Sequence, residues 1–256
     1  MTTRLVRYLP PLVVIVVVLA LWEMSTAGVG RRVIPPPSAI LDAGLDNLDA
    51  LRRSAQATAV EALGGLVIGT VAGIVVAFAS ARWVTARDVL LPVAIATSAI
   101  PIIAAAPIMS NWFGILNPFA KMAIVILLVY FPMLINVARG LTQVEPSALE
   151  LMEASAASEA QVLRKVRIPS ALPYFFTGLK VCTTLSLIGA VVAEYFGGSS
   201  DVLGRVIVQS SSRLRFDITW AAIAITALSG IAMYLVALTI ERLVIPWHAS
   251  QRAVES

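Results

Sequence analysis

Apolar runs of about twenty residues, the length that crosses a bilayer as a helix, recur along the chain at Pro11–Val29, Ala59–Ala81, Val89–Trp112, Pro118–Val137, Ala171–Phe196 and Ile218–Val244. Polar and charged residues collect between them. The pattern predicts an all-α, polytopic membrane protein of about six transmembrane helices, with both termini on the same side of the membrane. Arg4, Arg7 and the apolar run Leu12–Leu21 also suit a secretory leader. The continuation through Trp22 and Met24 favours a retained first span.

Between the first two spans, Pro35-Pro36-Pro37 breaks the chain. Ser38 is expected to cap a helix running through Ile40, Leu41, Leu45, Leu48 and Leu51, with Asp42, Asp46 and Asp49 on its other face. That amphipathic helix would lie on the outer membrane surface. In the second span Gly65, Gly69 and Gly73 recur every four residues and form a smooth stripe for close helix approach. The stripe serves packing within one chain or an interface between two; spacing alone leaves both open. Pro92, Pro101 and Pro107 predict kinks in the third span. Irregular backbone at that depth is tolerated where protein covers it or a cavity is lined by it.

Composition supports the membrane assignment. Of the 256 residues, 59% are hydrophobic and 13% charged, too few charges to coat a water-soluble domain. The net charge of +4 could suggest nucleic acid, but nearly all of the 19 basic residues lie between the apolar runs, where they suit a cytoplasmic surface and anionic lipid. With the termini cytoplasmic, ten basic residues face inward and seven outward, in the sense of the positive-inside rule. Trp22, Trp83, Trp112, Trp220 and Trp247 all fall near proposed helix ends, where an indole keeps its N–H wet. Cys182 is the single cysteine and lies in an apolar stretch, so no disulfide framework exists.

The longest polar interval, Arg139–Ser170, reads as two short amphipathic helices. Ser147 is expected to cap the first, with Glu150 completing a capping box. Leu149, Met152, Ala156 and Ala157 fall on one side, and Glu150 and Glu153 on another. Ser158 is expected to open the second helix, through Gln161, Val162, Leu163 and Val166, and Pro169 to end it. Short helices projecting from a membrane bundle call for a partner surface or for lipid.

Glu150–Pro173 reads ELMEASAASEAQVLRKVRIPSALP. It resembles the EAA loop of permeases of binding-protein-dependent ATP-driven importers, with a pattern like EAxxxxGAsxxqxfxxVxLPxALP. Glu150, Gln161, Val166, Pro169 and Pro173 match, Ile168 stands for the family leucine, Leu151 for its alanine and Ala156 for its usual glycine. Pro101–Phe113, Phe131–Gly140 and Ala171–Gly198 resemble the nitrate, sulfonate and taurine branch. The run from Tyr174 to Gly198 and Val60–Leu63 look closest to permeases for thiamine-pyrimidine precursors or riboflavin.

The resemblance implies a single transmembrane permease domain over residues 1–256, with a core at 59–245 and a coupling loop at 143–170. It implies a multi-pass protein of a bacterial plasma membrane that passes a small solute delivered by an extracytoplasmic substrate-binding protein. ATP-binding cassette ATPase subunits and a second permease copy are the implied partners, with Glu150, Met152, Glu153, Ala156, Gln161, Arg164 and Pro169 as ATPase-coupling residues. The sequence contains no GxxxxGK[ST] phosphate loop, so the chain is expected to be a transport subunit, with no cofactor of its own and with ATP and Mg on the ATPase. Sulfonate, taurine or nitrate are the alternative cargoes, and a secondary transporter or channel the alternative class. Ionisable residues inside spans are functional candidates by default: Glu61, Lys121, Lys180 and Glu194. With Pro101 and Pro107, Glu61, Lys180 and Glu194 make the candidate translocation pathway, and Glu61 and Lys180 are the first to test. Lys180 and Glu194 lie about 21 Å apart along one helix and do not pair.

Overall fold

The computed structural model describes residues 2–26, 33–199 and 201–246. Among these, every regular element is helical: α1 (Thr2–Thr26), α2 (Pro37–Asp46), α3 (Leu48–Arg82), α4 (Val84–Ser98), α5 (Ile102–Phe113), α6 (Pro118–Thr142), α7 (Pro146–Ala154), α8 (Glu159–Val162), α9 (Ile168–Phe196), α10 (Leu203–Ser212) and α11 (Phe216–Val244). Five helices are long and apolar enough to cross a membrane, and six if the bent pair α4 and α5 counts as one span. The last part of the expected first span, along with Trp247, lies outside the described residues.

Helix α6 is the axis of the bundle. Its Ile124, Val125, Val129, Met133, Leu134 and Val137 are all buried, because α3 covers one side and α9 the other. The glycine stripe makes the first contact possible. A Cβ on Gly65 would sit 2.4 Å from that of Val125, and one on Gly73 would sit 2.6 Å from the Tyr130 carbonyl. The stripe therefore serves packing within the chain. Leu63, Val67, Val71 and Val75 lie on the opposite side of α3 and are exposed, as a lipid-facing stripe should be.

The expected third span is broken, with a bend of 97° between α4 and α5. Pro101 lacks the N–H that would continue α4, and its ring drives Ile100 out of helical geometry. Tyr130 of α6 ties down the end of α4: its hydroxyl donates to the Ala94 carbonyl at 3.0 Å and contacts the Thr97 hydroxyl.

The expected surface helix is also interrupted, at Asn47, whose side chain donates to the Ala43 carbonyl at 2.8 Å. Leu48 and Leu51 thus begin α3, and Leu51 is 1% exposed, packed with Leu203, Ile207 and Ala222. Ser38 caps nothing. Pro36 is the cap position and Pro37 the first helical residue, a place proline favours because its missing N–H would be unpaired there. Glu23 of α1 serves the α2 N-terminus instead, accepting from the Ser38 N–H at 3.1 Å and its hydroxyl at 2.7 Å. Trp22 meets Trp220 of α11 edge to face at 5.5 Å. These contacts fasten α1, whose apolar side chains from Leu9 to Leu19 are otherwise exposed.

Candidate functional site

Beyond Thr142 the chain leaves the bundle and returns as two short helices. Glu145 holds the N-cap position of α7, Pro146 follows it, and no side-chain cap bond forms. The expected Ser147–Glu150 capping box is absent because Pro146 starts the helix earlier; the Ser147 hydroxyl donates to Glu145 Oε1 at 2.8 Å. A Schellman motif closes α7, with the Ala156 N–H donating to the Glu153 carbonyl at 2.9 Å and the Ala157 N–H to the Met152 carbonyl at 3.0 Å. Ala156 takes φ +50°, the left-handed geometry that explains glycine in the related pattern. The capping box sits one helix later: Ser158 accepts from the Gln161 N–H at 3.4 Å, and the Gln161 side chain accepts from the Ser158 N–H at 2.8 Å.

Pro169 does not end the second helix. Val162 passes through a π-helical stretch, Leu163–Arg167, directly into α9, and Pro169 lies in the first turn of α9, where its missing N–H is tolerated. Glu159–Phe196 is thus one helical rod of 38 residues. Glu150, Glu153, Ala156, Gln161, Arg164 and Pro169 are exposed and Met152 is half-buried, so the loop offers an open surface, with Leu151 68% exposed at its tip. Arg82 bridges to Glu159 at 2.9 Å, and Arg167 donates to the Leu141 carbonyl at 3.4 Å.

The ionisable residues of the spans fall into two groups. At the end of the bundle away from the loop, Glu61 of α3, Lys121 of α6 and Glu194 of α9 are 5%, 1% and 0% exposed and interact electrostatically. Lys121 Nζ donates to the carbonyls of Ile115 at 2.6 Å and Asn117 at 3.3 Å. Glu194 accepts from the Gly204 N–H at 2.6 Å, and Thr58 accepts from the Leu203 N–H at 2.9 Å. These two side chains therefore cap α10 from neighbouring helices. Gly204 is obligatory, since a Cβ there would lie 2.7 Å from that of Glu194.

Lys180 lies apart from this cluster, paired with Glu241 of α11 at 2.7 Å. Glu61 and Lys180 are therefore not neighbours. Glu241 escaped the sequence reading although it lies inside an apolar run, the same signal that marks Lys180. Thr58 gave no signal, because a threonine in a helix is unremarkable until its partner is known.

Pro101 opens α5 beside a cavity of about 430 Å³, bounded by Thr97, Ser98, Ile102, Phe131 and Leu185. Pro107 is exposed on α5. A larger apolar cavity of about 670 Å³ lies between α9 and α11, with Leu187, Val191, Tyr195, Thr226 and Tyr234 on its walls.

Relatives agree with this architecture. A probable ABC transporter permease protein of Haemophilus influenzae is 32% identical over 90% of this chain and 94% of its own. The formylaminopyrimidine transport permease protein ThiX of Halalkalibacterium halodurans is 28% identical over 97% of this chain and 99% of its own. Among solved structures, the crystal structure of an amino acid ABC transporter with histidines aligns at a TM-score of 0.65 and 15% identity, over 78% of this chain and 96% of that one; at that identity the likeness concerns the fold. The family model described as binding-protein-dependent transport system inner membrane component matches residues 69–247. The chain belongs to that family of ABC transporter permeases.

Proposed function

We propose that this permease passes a small solute, handed over by an extracytoplasmic receptor, through a pathway opened by a separate ATPase docked on the α7–α8 protrusion. The observation that carries this reading is the union of an exposed, capped protrusion with α9 in one continuous helix. A rod of that kind transmits displacement at the loop to the middle of the membrane. Glu150, Glu153 and Arg164 present charge to the ATPase, and Met152, Ala156, Gln161 and Pro169 shape the surface. Pairs of this exposed kind give register more than affinity.

The loop then faces the cytoplasm, as do both termini, and two copies of the chain enclose the pathway. The break at Pro101 and the cavity beside it support a pathway between α5 and α9, since irregular backbone in a membrane lines a cavity or lies under protein. Lys180 belongs to the wall through its tie to Glu241, whereas Glu61 and Glu194 hold the opposite end together. The cargo is a pyrimidine or riboflavin-type vitamin precursor, a choice supported by the name of the ThiX relative. Sulfonate, taurine or nitrate import is the second reading, supported by the resemblance over Ala171–Gly198.

Glu150→Ala or Glu150→Lys in a reconstituted complex tests the coupling role. Receptor-stimulated ATP hydrolysis is expected to fall with membrane insertion unchanged; wild-type stimulation removes Glu150 from that role. A thermal-shift screen of pyrimidines, flavins and sulfonates on the cognate receptor decides the cargo.

A further inference from the structure

A cavity of about 1060 Å³ separates the loop end of α3 from the α7–α8 protrusion. Its inner wall is apolar, with Ile74, Val75 and Phe78 of α3, and its mouth carries Arg82, Trp83 and Arg167. The outward stripe Leu63, Val67, Val71 and Val75 runs along α3 and ends in this cavity at Val75. The Trp83 indole, 60% exposed, stands where the span gives way to the polar layer, as tryptophans at membrane interfaces do. The site thus joins a lipid-facing apolar track to two guanidinium groups at headgroup height.

We infer that this cavity is a binding site for one anionic phospholipid, its phosphate held by Arg82 and Arg167 and an acyl chain lying along Val75 and Phe78. The argument is charge complementarity. A guanidinium matches phosphate with paired N–H donors, and basic recesses between transmembrane helices select acidic headgroups. Arg82 spends its bond on Glu159 at 2.9 Å, with both side chains largely exposed, so a phosphate competes for it on even terms. Arg167 spends one nitrogen on the Leu141 carbonyl and keeps other donors. Glu159 opens α8, so drawing Arg82 to phosphate loosens the tie between α3 and the protrusion. The site stands on the membrane-embedded fold alone; its effect on transport rests on the coupling reading above.

The experiment uses the full chain in bilayers, with phosphatidylglycerol or phosphatidylcholine brominated on the acyl chains. The difference in fluorescence between wild type and Trp83→Phe isolates Trp83. Its quenching is expected at about tenfold lower mole fraction of phosphatidylglycerol than of phosphatidylcholine, from about fivefold per basic group less the opposition of Glu159. Arg82→Gln with Arg167→Gln abolishes the preference, and Glu159→Gln raises it, which keeps the test decisive should the arginine variants insert poorly. Equal quenching by the two lipids would reduce the cavity to ordinary annular contact and overturn the site. Exclusion of both lipids on adding the ATPase would make it a protein-docking seat and overturn it as well. Failure of Glu150→Ala to alter coupling leaves this measurement untouched.

Discussion

Lys180 and Glu241 lie 61 residues apart in sequence, on α9 and α11, and meet at 2.7 Å, with side chains 21% and 6% exposed. Taking away one member leaves the other charge buried without compensation, a loss of about 3 kcal/mol. Lys180→Met is therefore expected to lower the melting temperature of the detergent-solubilised protein, and a second change, Glu241→Leu, to recover most of it. Equal melting of the single and double variants would show that the pair contributes little. Ala156 offers the opposite case. Its φ of +50° costs an L-residue about 1 kcal/mol, so Ala156→Gly should slow hydrogen exchange of the Ala156 and Ala157 amides, which close the turn; faster exchange would count against strain there. That strain was legible, because the related pattern puts glycine at this position. The partner of Lys180 was not, since pairing across a bundle depends on which helices become neighbours, and spacing along one helix says nothing about it.

At the scale of elements, the long apolar runs named the spans, while their ends followed proline chemistry that pattern reading misplaced. Pro36 and Pro146 each stand at a helix start, so Ser38 and Ser147 lost their capping roles, while Pro169, expected to stop a helix, follows the π-helical stretch of one that continues to Phe196. Pro101 had the reverse effect and broke a span that its apolar composition had made look continuous. The glycines of α3 allow a graded test. A methyl on Gly65 meets the Val125 Cβ at 2.4 Å and the Met122 carbonyl at 2.9 Å, whereas one on Gly64 meets only the end of the Met122 side chain, at 2.7 Å. Backbone cannot retreat as a thioether can. Gly65→Ala should therefore cost about 1–3 kcal/mol in unfolding titrations, and Gly64→Ala distinctly less. Similar losses at both sites would argue against close packing of α3 on α6.

For the whole molecule the decisive quantity is direction, because a loop proposed to receive an ATPase has to face the nucleotide. The rod that joins protrusion to α9 ends at Phe196, near α10, so the α7–α8 turn and α10 lie at opposite ends of the bundle, with about 43 Å of α9 between them. Cys182 is fully buried, with its thiol donating to the Val129 carbonyl at 3.4 Å, and gives a silent background for thiol labelling. Ser155 in the turn and Ser212 at the end of α10 are both exposed. A membrane-impermeant maleimide should label Ser212→Cys in spheroplasts and Ser155→Cys only in inside-out vesicles, and added ATPase should shield the second. The seven-to-ten distribution of basic residues gives this orientation only a small electrostatic preference, so the outcome is set more firmly by which end can be served by ATP. Labelling of Ser155→Cys from outside would place the protrusion where no cytoplasmic ATPase reaches it, and coupling through α9 would then have no source of energy.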